Sequence, residues 1–278
     1  MNSLHLSFVT SLRRALWLGL FAMGLNVLTG CASNQEKANQ ASARADLVTE
    51  SDEPDVRRRA RIRLELAVGY FEQGQTNIAL DELKQSIATD PTWSEAYNLR
   101  GLIYMRLNEL RLAEDSFQRA LQINPREGNY LHNYGWLTCQ QGRYPESTQL
   151  FTQALANPAY LERAKTWMAQ GLCQVKAGFR ADGEASLVRS YELDARNPIT
   201  GYNLALLLFQ RGDFAKSQFY VRRINNSDLA NAESLWLGIR VERRMNNSEA
   251  MQQLVGQLKK RFPQSPETGA LDRGAFDE

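Results

Sequence analysis

The sequence predicts an all-α fold, a right-handed superhelical solenoid of six helix-turn-helix repeats, from three observations. First, a small residue returns at Ala67, Gly101, Gly135, Gly171, Ala205 and Gly238, at intervals of 34, 34, 36, 34 and 33 residues. Second, each is followed at fixed distances by two further columns. Twelve residues on stand Ala79, Ala113, Ser147, Gly183, Ser217 and Ala250; four beyond those stand Leu83, Phe117, Phe151, Leu187, Val221 and Leu254. Third, Gly74, Asn108, Gly142, Gly178, Gly212 and Asn246 fall where a hairpin must reverse, and Pro91, Pro125, Pro158, Pro198 and Pro263 recur near the repeat ends. Small residues let helices approach closely, large apolar residues fill the space between them, and proline stops a helix. Glycine and asparagine tolerate the backbone of a chain reversal.

A period of 34 residues with these columns is the signature of the tetratricopeptide repeat (TPR). The repeats are read as 60–93, 94–127, 128–163, 164–197, 198–230 and 231–264, within a TPR domain spanning 57–264. Residues 265–278 show no pattern and are read as a poorly ordered C-terminal tail.

The segment before the repeats reads differently. Arg13 and Arg14 precede a mostly apolar run, Ala15 to Leu28, and a membrane span needs roughly 20 such residues, so 1–30 reads as a signal peptide. The run ends in Leu28-Thr29-Gly30-Cys31, which is similar to the bacterial lipobox, Leu-x-Gly-Cys. That similarity implies acylation of Cys31 and cleavage before it, with insertion stabilised by about 0.8 kcal/mol per buried methylene. An ordinary secreted protein with an incidental cysteine is the alternative. Ala32 and Ser33 follow with no aspartate, which by Gram-negative sorting rules implies the periplasmic leaflet of the outer membrane. Residues 31–56 read as lipid anchor and flexible linker, acidic towards the end. Arg57, Arg58, Arg59, Arg61 and Arg63 then form a basic cluster, either a docking patch for an acidic partner or lipid headgroups, or simply a solvated helix face.

Composition narrows the function. Lys plus Arg total 33 against 31 Asp plus Glu; removal of Arg13 and Arg14 leaves 31 of each, so no nucleic-acid partner is expected. The only histidines are His5, inside the removable segment, and His132. With no Gly-x-Ser-x-Gly, no phosphate-cradling glycine loop and no His-Glu-x-x-His, no enzyme activity, cofactor or metal is expected. By analogy with other TPR proteins, positions 2, 5, 9 and 12 of each repeat face a peptide-binding groove, of which 5, 9 and 12 are read here. In this chain they include Leu64, Phe71, Asn98, Met105, His132, Trp136, Met168, Tyr202 and Phe209. These residues suit either an adaptable contact surface for an apolar or amphipathic partner segment or packing between neighbouring helices. Cys139 and Cys173 lie on the first helices of repeats three and four. They form a disulfide if their Cα atoms come within about 7 Å, or remain two small buried hydrophobes.

Particular stretches go beyond generic TPR columns: Asn133 to Tyr144, Ala156 to Tyr160, Gly171-Leu172-Cys173, Ser234 to Glu242, and Arg261 to Pro266. With the lipobox and six repeats, they make the chain resemble the type IV pilus biogenesis and stability lipoproteins, the pilotins. Both cysteines lie inside these stretches, which favours the bridge. The resemblance implies a non-enzymatic assembly factor whose partners are the lipid bilayer, through acylated Cys31, and the outer-membrane secretin, with pilus stabilisation as the variant role; a monomer is expected, though sequence leaves the oligomeric state open. An outer-membrane TPR scaffold for peptidoglycan hydrolases or synthases is the alternative from another class. Repeat one departs from the resemblance in having Ala67 at its small position and an arginine-rich start.

Overall fold

A computed structural model describes residues 52–277 of the chain, and every described secondary-structure element is helical. The leader, Cys31 and nearly all of the linker lie outside the described residues. Six antiparallel hairpins follow one another: α1 (Asp55–Glu72) with α2 (Thr76–Thr89), α3 (Ser94–Arg106) with α4 (Leu110–Ile123), and α5 (Gly128–Gln140) with α6 (Tyr144–Ala156). Then come α7 (Arg163–Lys176) with α8 (Arg180–Leu193), α9 (Pro198–Arg211) with α10 (Phe214–Asn225), and α11 (Ala232–Arg244) with α12 (Ser248–Arg261), closed by a short helix α13 (Pro266–Asp272).

All six hairpins reverse through one motif. The residues predicted to turn have positive φ, from 56° at Asn246 to 90° at Gly178. Just beyond each, a backbone N–H reaches back five residues: Gln75 to Tyr70, Glu109 to Tyr104, Arg143 to Thr138, Phe179 to Gln174, Asp213 to Leu208 and Asn247 to Glu242, all at 2.8–2.9 Å. This is the Schellman closure, which satisfies a carbonyl the helix end leaves open. At the other junctions polar caps restart the chain. Asn197 accepts from the N–H groups of Ile199 and Thr200 ahead of Pro198, which opens α9, and Asn231 and Ser234 form a capping box on α11.

The columns meet inside each hairpin. A Cβ on Gly101 would stand 2.5 Å from the Phe117 ring, one on Gly135 2.9 Å from Phe151, and one on Gly171 2.9 Å from the backbone oxygen of Gly183. Phe117, Phe151 and Leu187 are fully buried there. Where the second column is serine, its hydroxyl donates to the carbonyl opposite: Ser147 to Gly135 and Ser217 to Ala205, both at 2.7 Å. Each first helix also packs on the preceding second helix, and α1–α3, α3–α5, α5–α7 and α9–α11 touch as neighbouring first helices. The first helices therefore lie side by side, with α7 and α9 joined through the cluster around Leu187 and Leu204.

The two ends differ from the sequence reading. Asp55 and Val56, assigned to the linker, already belong to α1, where Asp55 sits favourably in the first turn. Residues 265–278, read as a poorly ordered tail, are instead packed through most of their length. Ser265 caps α13, Phe276 stacks on Trp236 at 5.4 Å between centroids under the guanidinium of Arg243, and Asp272 and Asp277 pair with Lys259 and Arg244. Such a segment covers the open end of a repeat stack. In the basic cluster, Arg57 pairs with Asp90 and lies 4.4 Å over Trp93, Arg61 pairs with Glu65, and Arg63 with Glu82. Much of that charge is committed within the first repeat and its boundary with the second.

Candidate functional site: the layer of first helices

The first helices sort the predicted groove residues into two depths. Leu64, His132 and Phe209 are 8%, 6% and 9% exposed, which corrects their assignment to an open groove. Leu64 sits in the core shared by repeats one and two, with Leu83 and Ile103. Phe209 packs against Phe214 and is covered by Arg240, whose guanidinium carbon lies 4.9 Å from the ring centroid. Each is closed off by a side chain from another helix, which position within a repeat does not reveal.

Phe71, Asn98, Met105, Trp136, Met168 and Tyr202 are half-buried. They form an interrupted row, one or two per repeat, each with one flank on the core. Met105 packs on the cluster around Phe117 and Leu137, Met168 on that around Leu187 and Leu204, and Tyr202 on that around Ala205 and Leu237. Asn98 is tied to the next repeat by accepting a 3.0 Å hydrogen bond from the Asn133 amide. The sequence reading missed the cations in this layer. Arg106 lies 4.6 Å over Phe71 and donates to its carbonyl at 3.0 Å, so with Arg240 the layer holds guanidinium groups over aromatic faces. Arg106 directly follows Met105, the last of the positions assigned to the groove in its repeat.

The centre of the layer is the junction of α5 and α7. Cys139 and Cys173 are joined there, with Cα atoms 5.9 Å apart, both 2% exposed. Phe151, Ala169, Trp136 and Tyr144 pack around them. Two turns away, His132 Nδ1 lies 2.8 Å from Thr166 Oγ1, which is itself 2.7 Å from the Tyr160 hydroxyl. The insertion that lengthens this repeat interval to 36 residues supplies Tyr160, whose ring lies against Gly128. Polar and covalent links thus lock α5 to α7 and hold Trp136 between them.

Burial, with the charge of Lys165 behind it, pushes the His132 imidazole down to about 4 from 6.5. The unfolded chain therefore binds a proton that the folded one refuses. Stability is complete above pH 6.5 and falls as the pH drops towards 4, by about 3 kcal/mol from this residue. Urea midpoints across that range, wild type against His132→Gln, check it: the variant should lose that share of the slope, and identical slopes would refute the assignment.

Comparison with known proteins agrees with this architecture. Residues 94–127 match the tetratricopeptide repeat family. Over 254 residues the chain is 26% identical to the type IV pilus assembly protein PilF of Pseudomonas aeruginosa, covering 91% of this chain and 96% of that one. The crystal structure of PilW, described as a widely conserved type IV pilus biogenesis factor, matches with a TM-score of 0.70 at 27% identity, over 79% of this chain and 99% of PilW. The solved structure of P. aeruginosa PilF shares the fold, with a TM-score of 0.72 at 24% identity, over 80% of this chain and all of that one. Six hairpins with one common turn, and a likeness to PilF that runs along nearly the whole chain, make this protein a tetratricopeptide-repeat homologue of PilF, similar in structure to PilW.

Proposed function

We propose that the chain is a non-enzymatic assembly factor of the type IV pilus, anchored by acylated Cys31 to the periplasmic face of the outer membrane. In this reading it binds the secretin and assists its outer-membrane localisation and multimerisation. The observation behind it is the row of half-open side chains, Phe71, Met105, Trp136, Met168 and Tyr202, on a homologue of a pilus assembly protein. Aromatic and methionine side chains with one face free give large contact area at small conformational cost and adapt to an apolar partner segment. The bridge between α5 and α7 keeps the central residue, Trp136, from moving independently of the next repeat. Acyl chains would supply the address, and tethering would raise the partner's effective concentration at the membrane without a new contact.

The test is an immunoblot of secretin in separated membranes, under conditions that preserve multimers, in cells lacking the gene and complemented with variants. Deletion should abolish the multimer or shift it to the inner membrane, and Cys31→Ala should fail to restore it while yielding a folded, mislocalised protein. Trp136→Ala should weaken partner capture by about tenfold or more with helicity intact. Unchanged outer-membrane multimers on deletion would reject the secretin role; a Trp136→Ala effect confined to melting temperature would return that residue to the core.

A further inference from the structure

Away from the layer of first helices, α8, α9 and α10 enclose a pocket of about 230 Å³ at the edge formed by the loops between repeats. Its walls are Tyr191 and Tyr220, edge to face at 4.9 Å between centroids, and Ile224 and Leu229 add apolar surface. Gly201 also lines it, so part of one wall is bare backbone. Pockets for drug-sized ligands occupy roughly 300–1,000 Å³, so this one admits one large side chain and not a metabolite of that size.

The mouth is basic. Arg196 and Arg223 line the pocket, both exposed, and neither forms an ion pair among the described residues. Other arginines nearby are committed, Arg189 to Glu192 on α8, Arg211 at the end of α9 to Glu184, and Arg222 on α10 to Glu242. No carboxylate lines the pocket itself; nearby, Glu192 is held by Arg189, while Asp194, which accepts from the backbone N–H of Arg196, and Asp228 keep their negative charge outside it. The surroundings are also unusually apolar for a surface. Leu229 at the rim is 51% exposed and Phe219, whose ring meets Tyr220, is 59% exposed, while Leu193 and Ile199 flank the same loop at 55% and 51%.

We infer that this edge is a second protein-docking site, which takes an acidic segment of a partner protein with one aromatic or branched apolar side chain seated in the pocket against the Tyr191–Tyr220 pair, Gly201 and Ile224. Flanking carboxylates would be met by Arg196 and Arg223, whose forked donors suit them. The site is separate from the row of first-helix residues, so a partner held there leaves that row free, and the inference stands whether or not the secretin reading does.

The test uses the full chain in dodecyl maltoside and a fluorescein-labelled peptide, Glu-Asp-Phe-Glu-Asp-Glu, followed by anisotropy. Binding should saturate, and should weaken by about tenfold or more with Arg196→Glu combined with Arg223→Glu, or with alanine for the peptide phenylalanine. Arg126→Glu, an exposed arginine on another loop, should leave it unchanged. No saturable binding, equal binding by the double variant, or equal binding of a peptide with lysine for every acid would overturn the proposal. So would displacement by phosphatidylglycerol but not by unlabelled peptide, which assigns the face to lipid. A self-association abolished by the double variant, with the peptide indifferent, assigns it to a second copy and refutes it equally.

Discussion

Removing the Cys139–Cys173 bridge lowers the unfolding free energy by about 4 kcal/mol, from the chain entropy of a loop closed across 34 residues. The loop spans one full repeat, so the cross-link ties together two units that otherwise hold by nearest-neighbour contact. Both cysteines are buried, so alanine is the appropriate replacement; serine would bury two hydroxyls and confuse the comparison. Urea titrations of the double alanine variant, and of wild type with and without reductant, should show the same displaced midpoint. Because repeat arrays lose cooperativity when one interface weakens, the transition should also broaden or split near repeats three and four. A midpoint unmoved by reductant would mean that helix packing alone fixes α5 on α7.

Phe151→Ala should destabilise by about 3–5 kcal/mol, the range for deleting a buried aromatic side chain. Phe151 is fully buried, fills the space over Gly135, meets His132 at 5.8 Å between ring centroids, and belongs to the cluster around the disulfide. Little can collapse into the cavity, because the bridge holds α7 in place on its far side. The two effects share a cluster and so should not add: a double-mutant cycle with the bridge intact and removed should give a coupling of about 0.5–3 kcal/mol. Additivity there would mean that the aromatic core and the cross-link stabilise different regions.

The helical pairing was legible because it repeats. Gly101 says little by itself, but six small residues at near-constant spacing can be satisfied only by a stack in which each lies against a large residue sixteen positions on, as Gly101 does against Phe117. The turns were legible for a related reason, since positive φ costs glycine nothing and asparagine little, and those residues occupy all six reversals. The groove was only half legible. Position 5 holds Leu64, Asn98, His132, Met168 and Tyr202, yet Leu64 and His132 are buried while the others keep an open side. Periodicity names the face of a helix; the depth at which a side chain ends depends on what neighbouring helices place over it, as Arg240 is placed over Phe209.

By itself, then, the sequence determined the all-helical class, the six hairpins, their turns and the close contacts along each hairpin axis. All of these depend on residues within about one repeat of each other, where spacing alone dictates contact. Tertiary structure decided the rest: the bridge geometry at α5 and α7, the burial of His132 against Thr166, the packing of Phe276 on Trp236, and the arginine-lined pocket beside Tyr191 and Tyr220. Each of those joins separate helices or loops through particular side chains, at positions the repeat columns leave unspecified, and single pairs leave no periodic trace in a sequence.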